Sequence, residues 1–357
     1  MTRIFLTGAS GYLGGDILAA LHAKHPEYEI AVLVRDADKG AKISQAYPKV
    51  RVVQGELDSV AVEEEAQKAD VVVNAASAQN YKGAEMVYRG LTGSERTKPG
   101  YWIQVSGATL LSAPEIEKGI FGEPTDKVYN DIDDEQEIKA LIYKYSAKRV
   151  IDYFILNLPQ APQSPKTAVI YPPVIHGCGR GPIKQRSVQI PELSRITLQN
   201  KTGYRVGRGL STWSNVHVSD VIQIFMILLE KAVAGKEGLF WNEDGIYFVE
   251  NGAINFGDIG RLVAEEAAKL GLLSSASVKE ISYSEADALS GHGGVLWGTN
   301  AREGAQRALR CWVGLLQGSR CKMKSLKRFV RRRLVWGFCQ RKLSTQNDLL
   351  ARSSYYT

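Results

Sequence analysis

Residues 7–14 read Thr7-Gly8-Ala9-Ser10-Gly11-Tyr12-Leu13-Gly14, between a strand-like run, Arg3–Thr7 (RIFLT), and a helical stretch that continues to about Lys24. Glycine at 8 allows a tight turn, at 11 a close backbone approach to a ligand, and at 14 tight packing of helix on strand. The backbone N–H groups of Ser10, Gly11, Tyr12 and Leu13, with the positive end of the helix dipole, would then neutralise a diphosphate. A glycine pattern alone is weak evidence. In this strand–turn–helix context it predicts a dinucleotide-binding α/β domain.

Working outward, apolar β-rich runs recur at Glu29–Val34, Val50–Gln54, Asp70–Ala75, Tyr101–Ser106 and Thr167–Tyr171, the last ended by Pro172 and Pro173. Helical stretches separate them, one near Gly83–Gly93 and one expected from about Asp134 to Leu158. Continuous apolar strands alternating with helices predict a doubly wound, Rossmann-type parallel sheet covered on both faces. It should occupy residues 1–175, with its core in 1–150. From His176-Gly177 onward the pattern changes to a glycine-rich loop and amphipathic helices, which predict a smaller C-terminal substrate-binding cap over residues 176–312. Residues 313–357 form a basic tail.

The chain has 357 residues, 44% hydrophobic and 23% charged, which is the composition of a globular protein with ample core. Its net charge of +7 is unevenly spread. Residues 1–303 carry 32 Lys and Arg against 37 Asp and Glu, whereas residues 304–357 carry 13 against Asp348 alone. The body is mildly acidic, so the high isoelectric point does not argue for nucleic-acid binding. The longest apolar run, Val221–Leu229, is too short to span a bilayer, and the early strand at Arg3 leaves no room for a signal peptide. Four cysteines and no such signal point to a cytoplasmic protein without disulfides. Cys311, Cys321 and Cys339 lack zinc-site spacing and a nearby histidine, so no metal is expected.

The second strand ends Val34-Arg35-Asp36. A carboxylate there would accept from the ribose 2′-hydroxyl of NAD, whereas a cation would grip the 2′-phosphate of NADP. Arg35, about 20 residues past the loop, and Lys39 favour NADP(H), a guanidinium being suited to two-pronged phosphate binding. Asp36 keeps NAD(H) open as the alternative.

With these motifs in place the chain resembles the short-chain dehydrogenase/reductase superfamily, in its extended or atypical branch of epimerase/dehydratase-like and NmrA-like fungal proteins. The likeness spans about residues 1–312. It is carried by the glycine loop, Gly55-Glu56-Leu57-Asp58, Asn74-Ala75-Ala76, Ser106-Gly107, Tyr171-Pro172-Pro173-Val174-Ile175-His176-Gly177, the segment Trp213–Asp220 and Gly298–Arg302. It implies that Thr7 and Asn74–Ala76 lie along the cofactor, that Asp58 bonds the adenine beside Leu57, and that Pro172, Pro173 and Val174 line the nicotinamide end. It also implies that His217 and Asp220 are structural, and that dimerisation through the long helices is common among the relatives.

The resemblance further implies a Ser or Thr after the fifth strand and a Tyr-x-x-x-Lys pair on the next helix, the lysine lowering the tyrosine pKa. Ser106 fits the first role, or merely caps its strand. The helix reads Tyr143-Lys144-Tyr145-Ser146-Ala147-Lys148-Arg149, so Lys148 falls at the lysine position with Lys144 four residues before it. Tyr145, three residues from Lys148, is the candidate partner. On a regular helix that one-residue shift turns the hydroxyl about 100° away. The site could instead contain an irregular helix, take its proton from Tyr129 or another group, or bind cofactor without this chemistry.

Lys322–Phe338 (KMKSLKRFVRRRLVWGF) reads as a basic amphipathic helix suited to an anionic membrane surface, or as a terminus altered by a frame shift. Three functions follow from the whole. One is an NADP(H)-dependent oxidoreductase acting on a carbonyl or alcohol of a small metabolite. The others are a nucleotide-sugar epimerase or dehydratase, and an NmrA-like regulatory protein that senses the dinucleotide without turnover.

Overall fold

A computed structural model describes residues 1–236 and 240–311. In chain order its first half comprises β1 (Arg3–Thr7), α1 (Tyr12–Lys24), β2 (Glu29–Val34), α2 (Ala37–Ala46), β3 (Arg51–Gln54), α3 (Val60–Lys68), β4 (Val71–Asn74), α4 (Tyr81–Leu91), β5 (Tyr101–Val105), α5 (Ala113–Lys118), β6 (Tyr129–Asn130), α6 (Glu135–Lys144), α7 (Val150–Leu156) and β7 (Lys166–Tyr171). The remainder comprises β8 (Val174–His176), α8 (Gln189–Asn200), β9 (Gly203–Val206), β10 (Thr212–His217), α9 (Val218–Val233), β11 (Ile246–Phe248), β12 (Ala253–Asn255), α10 (Phe256–Lys269), β13 (Val278–Ile281), α11 (Tyr283–Leu289), α12 (Gly293–Gly298), β14 (Glu303–Gly304) and α13 (Gln306–Cys311). The expected helix at Lys322–Phe338, with Cys321 and Cys339, lies outside the described residues.

Seven strands form one parallel sheet in the order β11-β7-β5-β4-β1-β2-β3. Their apolar runs are buried on both faces, as in Val71–Asn74 and Lys166–Tyr171, which is why they read as continuous rather than alternating. Smaller sheets, β12-β10-β8, β13-β9 and β14-β6, belong to the second half. Among the described residues no helix is long and apolar enough to cross a membrane.

Two sequence expectations need correction. The seventh strand, β11, comes from residues 246–248, and β8 leaves the first segment for the second sheet, so a division at residue 175 is crossed in both directions. A three-residue strand is too short to show a period. The helix expected over 134–158 is also interrupted. α6 ends at Lys144, Ser146–Lys148 forms a single 3-10 turn, and α7 begins at Val150. No glycine or proline causes the break. Arg149 turns inward to bond the loop after β5, and the side chain of Gln79 donates to the Lys148 carbonyl at 2.8 Å.

Carboxylates lock the last described elements onto the sheet. Asp131 accepts from the backbone N–H groups of Phe248 and Arg307, at 3.0 and 2.9 Å, and the buried Arg307 guanidinium spans Glu135 and Asp244 at 2.8 Å each. Glu303 is fully buried. It accepts a 3.4 Å bond from Val249 N–H through one oxygen and leaves the other unpartnered. Burial therefore pushes its pKa well above the ordinary carboxylate value, and that of Asp131 up to about 6. A carboxyl whose pKa is raised by folding stabilises the protein below its unfolded pKa and loses that contribution as pH rises. Wild-type stability should thus fall between pH 5 and pH 8, and Glu303→Gln should flatten the fall by roughly 1–3 kcal/mol. Urea midpoints across that range test this; parallel pH profiles for the two proteins would refute it.

Candidate active site

Because the strands of the main sheet are parallel, the residues that follow them share one edge. The strand order reverses between β1 and β4, and the crevice at that reversal is where such sheets bind ligands. The glycine loop closes over it. Gly8 has φ +80°, and a Cβ there would lie 2.5 Å from the backbone carbonyl of Ala75. A Cβ on Gly14 would overlap the Gly8 carbonyl. Gly11 caps α1 without any side-chain cap, and the first turn holds no acidic residue. The positive end of α1 is therefore left for an anion, and the cradle fits a diphosphate.

Beneath the loop a row of side chains ties three strand ends together. Thr7 donates to Asn74 Oδ1 at 2.6 Å, Asn74 Nδ2 to Gln104 Oε1 at 2.9 Å, and Gln104 Nε2 to the Val105 carbonyl at 2.6 Å. Ala76 N–H also bonds Asn74 Oδ1, at 3.3 Å, shaping the turn that carries Ala75 and Ala76. Thr7 and Asn74 are thus buried braces rather than open groups. Gln104 was missed because an amide within an apolar run carries no motif.

At the end of β2 the Arg35 side chain is 76% exposed, with Nη1 3.7 Å from Glu56. Asp36 points back, and its carboxylate accepts the Lys39 N–H at 3.0 Å as the N-cap of α2. Lys39 Nζ lies 3.5 Å from the same carboxylate. After β3, Leu57 is half-buried and Asp58 exposed.

The segment after β8 is lashed to α1. Tyr12 donates to the Gly177 carbonyl at 3.0 Å, and the Arg180 backbone N–H and Nε each reach the buried Asp16 carboxylate at 2.8 Å. Gly15 and Gly181 meet backbone to backbone. Neither Asp16 nor Arg180 belongs to any motif, and 164 residues separate them.

Ser106 follows β5, fixed by its N–H bond to the Ile170 carbonyl at 2.8 Å. Its hydroxyl donates to Asp152 Oδ2 at 2.8 Å. Tyr145 and Lys148 are not brought to it by any hydrogen bond. The Tyr145 hydroxyl donates to Glu117 at 2.8 Å, on the surface, and Lys148 is exposed. Partial burial and then the Glu117 bond raise the Tyr145 pKa, opposite to what a proton-shuttling tyrosine needs. The inward residue is Arg149, four positions after Tyr145, which bonds the Gly107 carbonyl at 3.2 Å and Thr109 Oγ1 at 2.6 Å. That Tyr-x-x-x-Arg spacing was a signal available in the sequence. Pro172, Pro173 and Val174 are buried beside this corner, with the Pro172 carbonyl accepting from Ala108 N–H.

A family model described as NAD(P)H-binding matches residues 8–188. The chain belongs to this NAD(P)H-binding family. It is 33% identical over 317 residues to Oxidase ucsJ of an Acremonium species, which covers 86% of this chain and 91% of that protein. It is 26% identical over 277 residues to the uncharacterized protein YLL056C of Saccharomyces cerevisiae, covering 74% and 80%. Among solved structures the fold is similar to dTDP-glucose 4,6-dehydratase from Bacillus anthracis in complex with NAD, with TM-score 0.62, 15% identity, and coverage of 96% and 98%. UDP-glucuronic acid 4-epimerase from Bacillus cereus gives TM-score 0.58 at 14% identity, covering 96% and 100%. The superfamily resemblance and the Rossmann-type sheet therefore stand. As a member of that family the chain binds a nicotinamide dinucleotide.

A second hollow, of about 500 Å³, opens at the opposite edge of the sheet among Arg3, Glu29, Lys49, Arg51 and Glu65. Most of its charged rim is paired internally, Arg3 with Glu29 and Arg51 with Glu65, and it is remote from the glycine loop.

Proposed function

We propose that this protein is an NADPH-dependent reductase acting on a carbonyl of a small molecule. The observation that carries the cofactor choice is the pair at the end of β2. Arg35 stands exposed, while the Asp36 carboxylate that NAD would need is turned back to cap α2. Backbone groups at Ser10–Leu13 hold the diphosphate, Arg35 and Lys39 the 2′-phosphate, and Leu57 and Asp58 the adenine. Ala75 and Ala76 flank the cofactor, and Pro172, Pro173 and Val174 line the nicotinamide end. The name of the 33% identical relative, an oxidase, supports redox chemistry over sugar-nucleotide epimerisation.

Arg35→Ala should weaken NADPH binding roughly 10- to 100-fold, the worth of one or two charge-assisted bonds, and leave NADH binding nearly unchanged. Calorimetric titration with both coenzymes decides this, and equal losses would remove the case for phosphate recognition. Turnover is then sought as loss of NADPH absorbance over a panel of ketones and aldehydes. The surface position of Tyr145 favours a second reading, a dinucleotide sensor. It predicts tight NADPH binding with no turnover across the panel.

A further inference from the structure

The corner beneath Ser106 holds a set of groups that neither the glycine loop nor the Tyr145–Lys148 pair accounts for. Ser106 is half-buried at the binding edge, while Asp152 behind it is 1% exposed. One Asp152 oxygen takes the Ser106 hydroxyl at 2.8 Å and the other has no partner. The Tyr171 hydroxyl, fully buried, sits beside both Asp152 and Ser106 and interacts with each, although neither contact closes to a tight hydrogen bond. Arg149 lies near the same carboxylate with its guanidinium committed to Gly107 and Thr109.

We propose that Asp152 is the positioning residue that holds and returns the reaction's proton through Ser106, so that a serine–aspartate couple replaces the tyrosine–lysine pair of the superfamily. This rests on the reductase reading. In the reductive direction the carbonyl carbon gains a hydride from the bound coenzyme and its π pair moves to oxygen. That oxygen takes the Ser106 hydroxyl proton, and Ser106 Oγ takes one from Asp152 Oδ2. Asp152, left as a carboxylate, is reprotonated from solvent. One hydride and one proton thus convert carbonyl to alcohol. Run backwards, ionised Asp152 accepts the proton that Ser106 withdraws from an alcohol.

Burial places the Asp152 pKa at about 6, so both protonation states are populated near neutrality. The opposing influences are the Arg149 charge, then the Ser106 bond and the Tyr171 hydroxyl, which lower it, and their failure to cancel burial is what leaves a transferable proton.

The experiment begins without substrate. NADP⁺ brings a positive nicotinamide ring that favours the ionised carboxyl. At pH 6 its binding to the wild-type protein should release a fraction of a proton, read with an indicator in weak buffer, and bleach a protonated-carboxyl infrared band. Asp152→Asn should bind NADP⁺ within about twofold of wild type but show neither signal. Ser106→Ala should keep both signals yet lose turnover roughly 100-fold, and Ser106→Thr, which retains a hydroxyl, should restore much of it. The wild-type reductive rate should decline above about pH 6, a limb that Asp152→Asn lacks. Absence of proton release in the wild type, or its persistence in Asp152→Asn, overturns the proposal whatever the turnover. Proton release intact with no carbonyl reduced overturns the reductase reading and leaves the couple in place.

Discussion

Gly8→Ala should abolish high-affinity coenzyme binding while leaving a folded protein. The new methyl group would meet the Ala75 carbonyl at 2.5 Å, and a non-glycine residue would be held at φ +80°. Neither side can yield cheaply. Ala75 is tied through its N–H to the Thr7 carbonyl, and the Thr7–Asn74–Gln104 row fixes the strand ends on either side. The strain is relieved by lifting the loop away from β4, which moves the backbone donors at Ser10–Leu13 from the diphosphate. Two misplaced charge-assisted bonds, at about 1.5 kcal/mol each, weaken binding by roughly 100-fold or more. Fluorescence titration with NADPH measures the loss, and far-UV circular dichroism confirms the fold. Affinity within threefold of wild type would show that the loop does not carry the phosphates.

Arg180→Ala should produce the largest loss of stability among surface substitutions. Arg180 is half exposed, but its partner Asp16 is fully buried in α1. Truncation removes the guanidinium and leaves that carboxylate with the backbone N–H of residue 180 as its remaining donor. Breaking a buried ion pair on one side costs about 3 kcal/mol, whereas exposed pairs are worth under about 1 kcal/mol. Arg180→Ala should therefore melt well below wild type, while Arg205→Ala, which breaks an exposed pair with Glu280, should not. Because residues 177–181 are held to α1 by Tyr12 and Asp16, the same change should loosen the loop beside the cofactor crevice and weaken NADPH binding several-fold. Similar melting temperatures for the two variants would show that the Asp16 contact is not a structural anchor.

Gly8 and Arg180 differ in how local their roles are. Gly8 declares itself in the sequence because its function is local: a φ no other residue adopts comfortably, followed at once by a helix start. The six longest strands of the main sheet were legible for the same reason, their apolar runs being long enough to read. Arg35 could be weighed from its distance to the loop. Asp36 could not, because whether a carboxylate faces a ribose or caps its own helix depends on backbone angles at one residue.

What the sequence by itself determined was six strands of the sheet, the glycine turn after the first of them and a nicotinamide dinucleotide as ligand, because each follows from periodicity or from spacing within about 30 residues. The tertiary structure alone decided which side chains meet at the chemical end. Ser106 and Asp152 are 46 residues apart, Asp16 and Arg180 are 164 apart, and a strand from residues 246–248 completes the sheet. It also decided that the helix bearing Tyr145 breaks, since a buried guanidinium bonding the β5 loop outweighs the propensity of the residues around it. Contacts between distant segments leave no period to read, and they form only when the strands have set the distances between them.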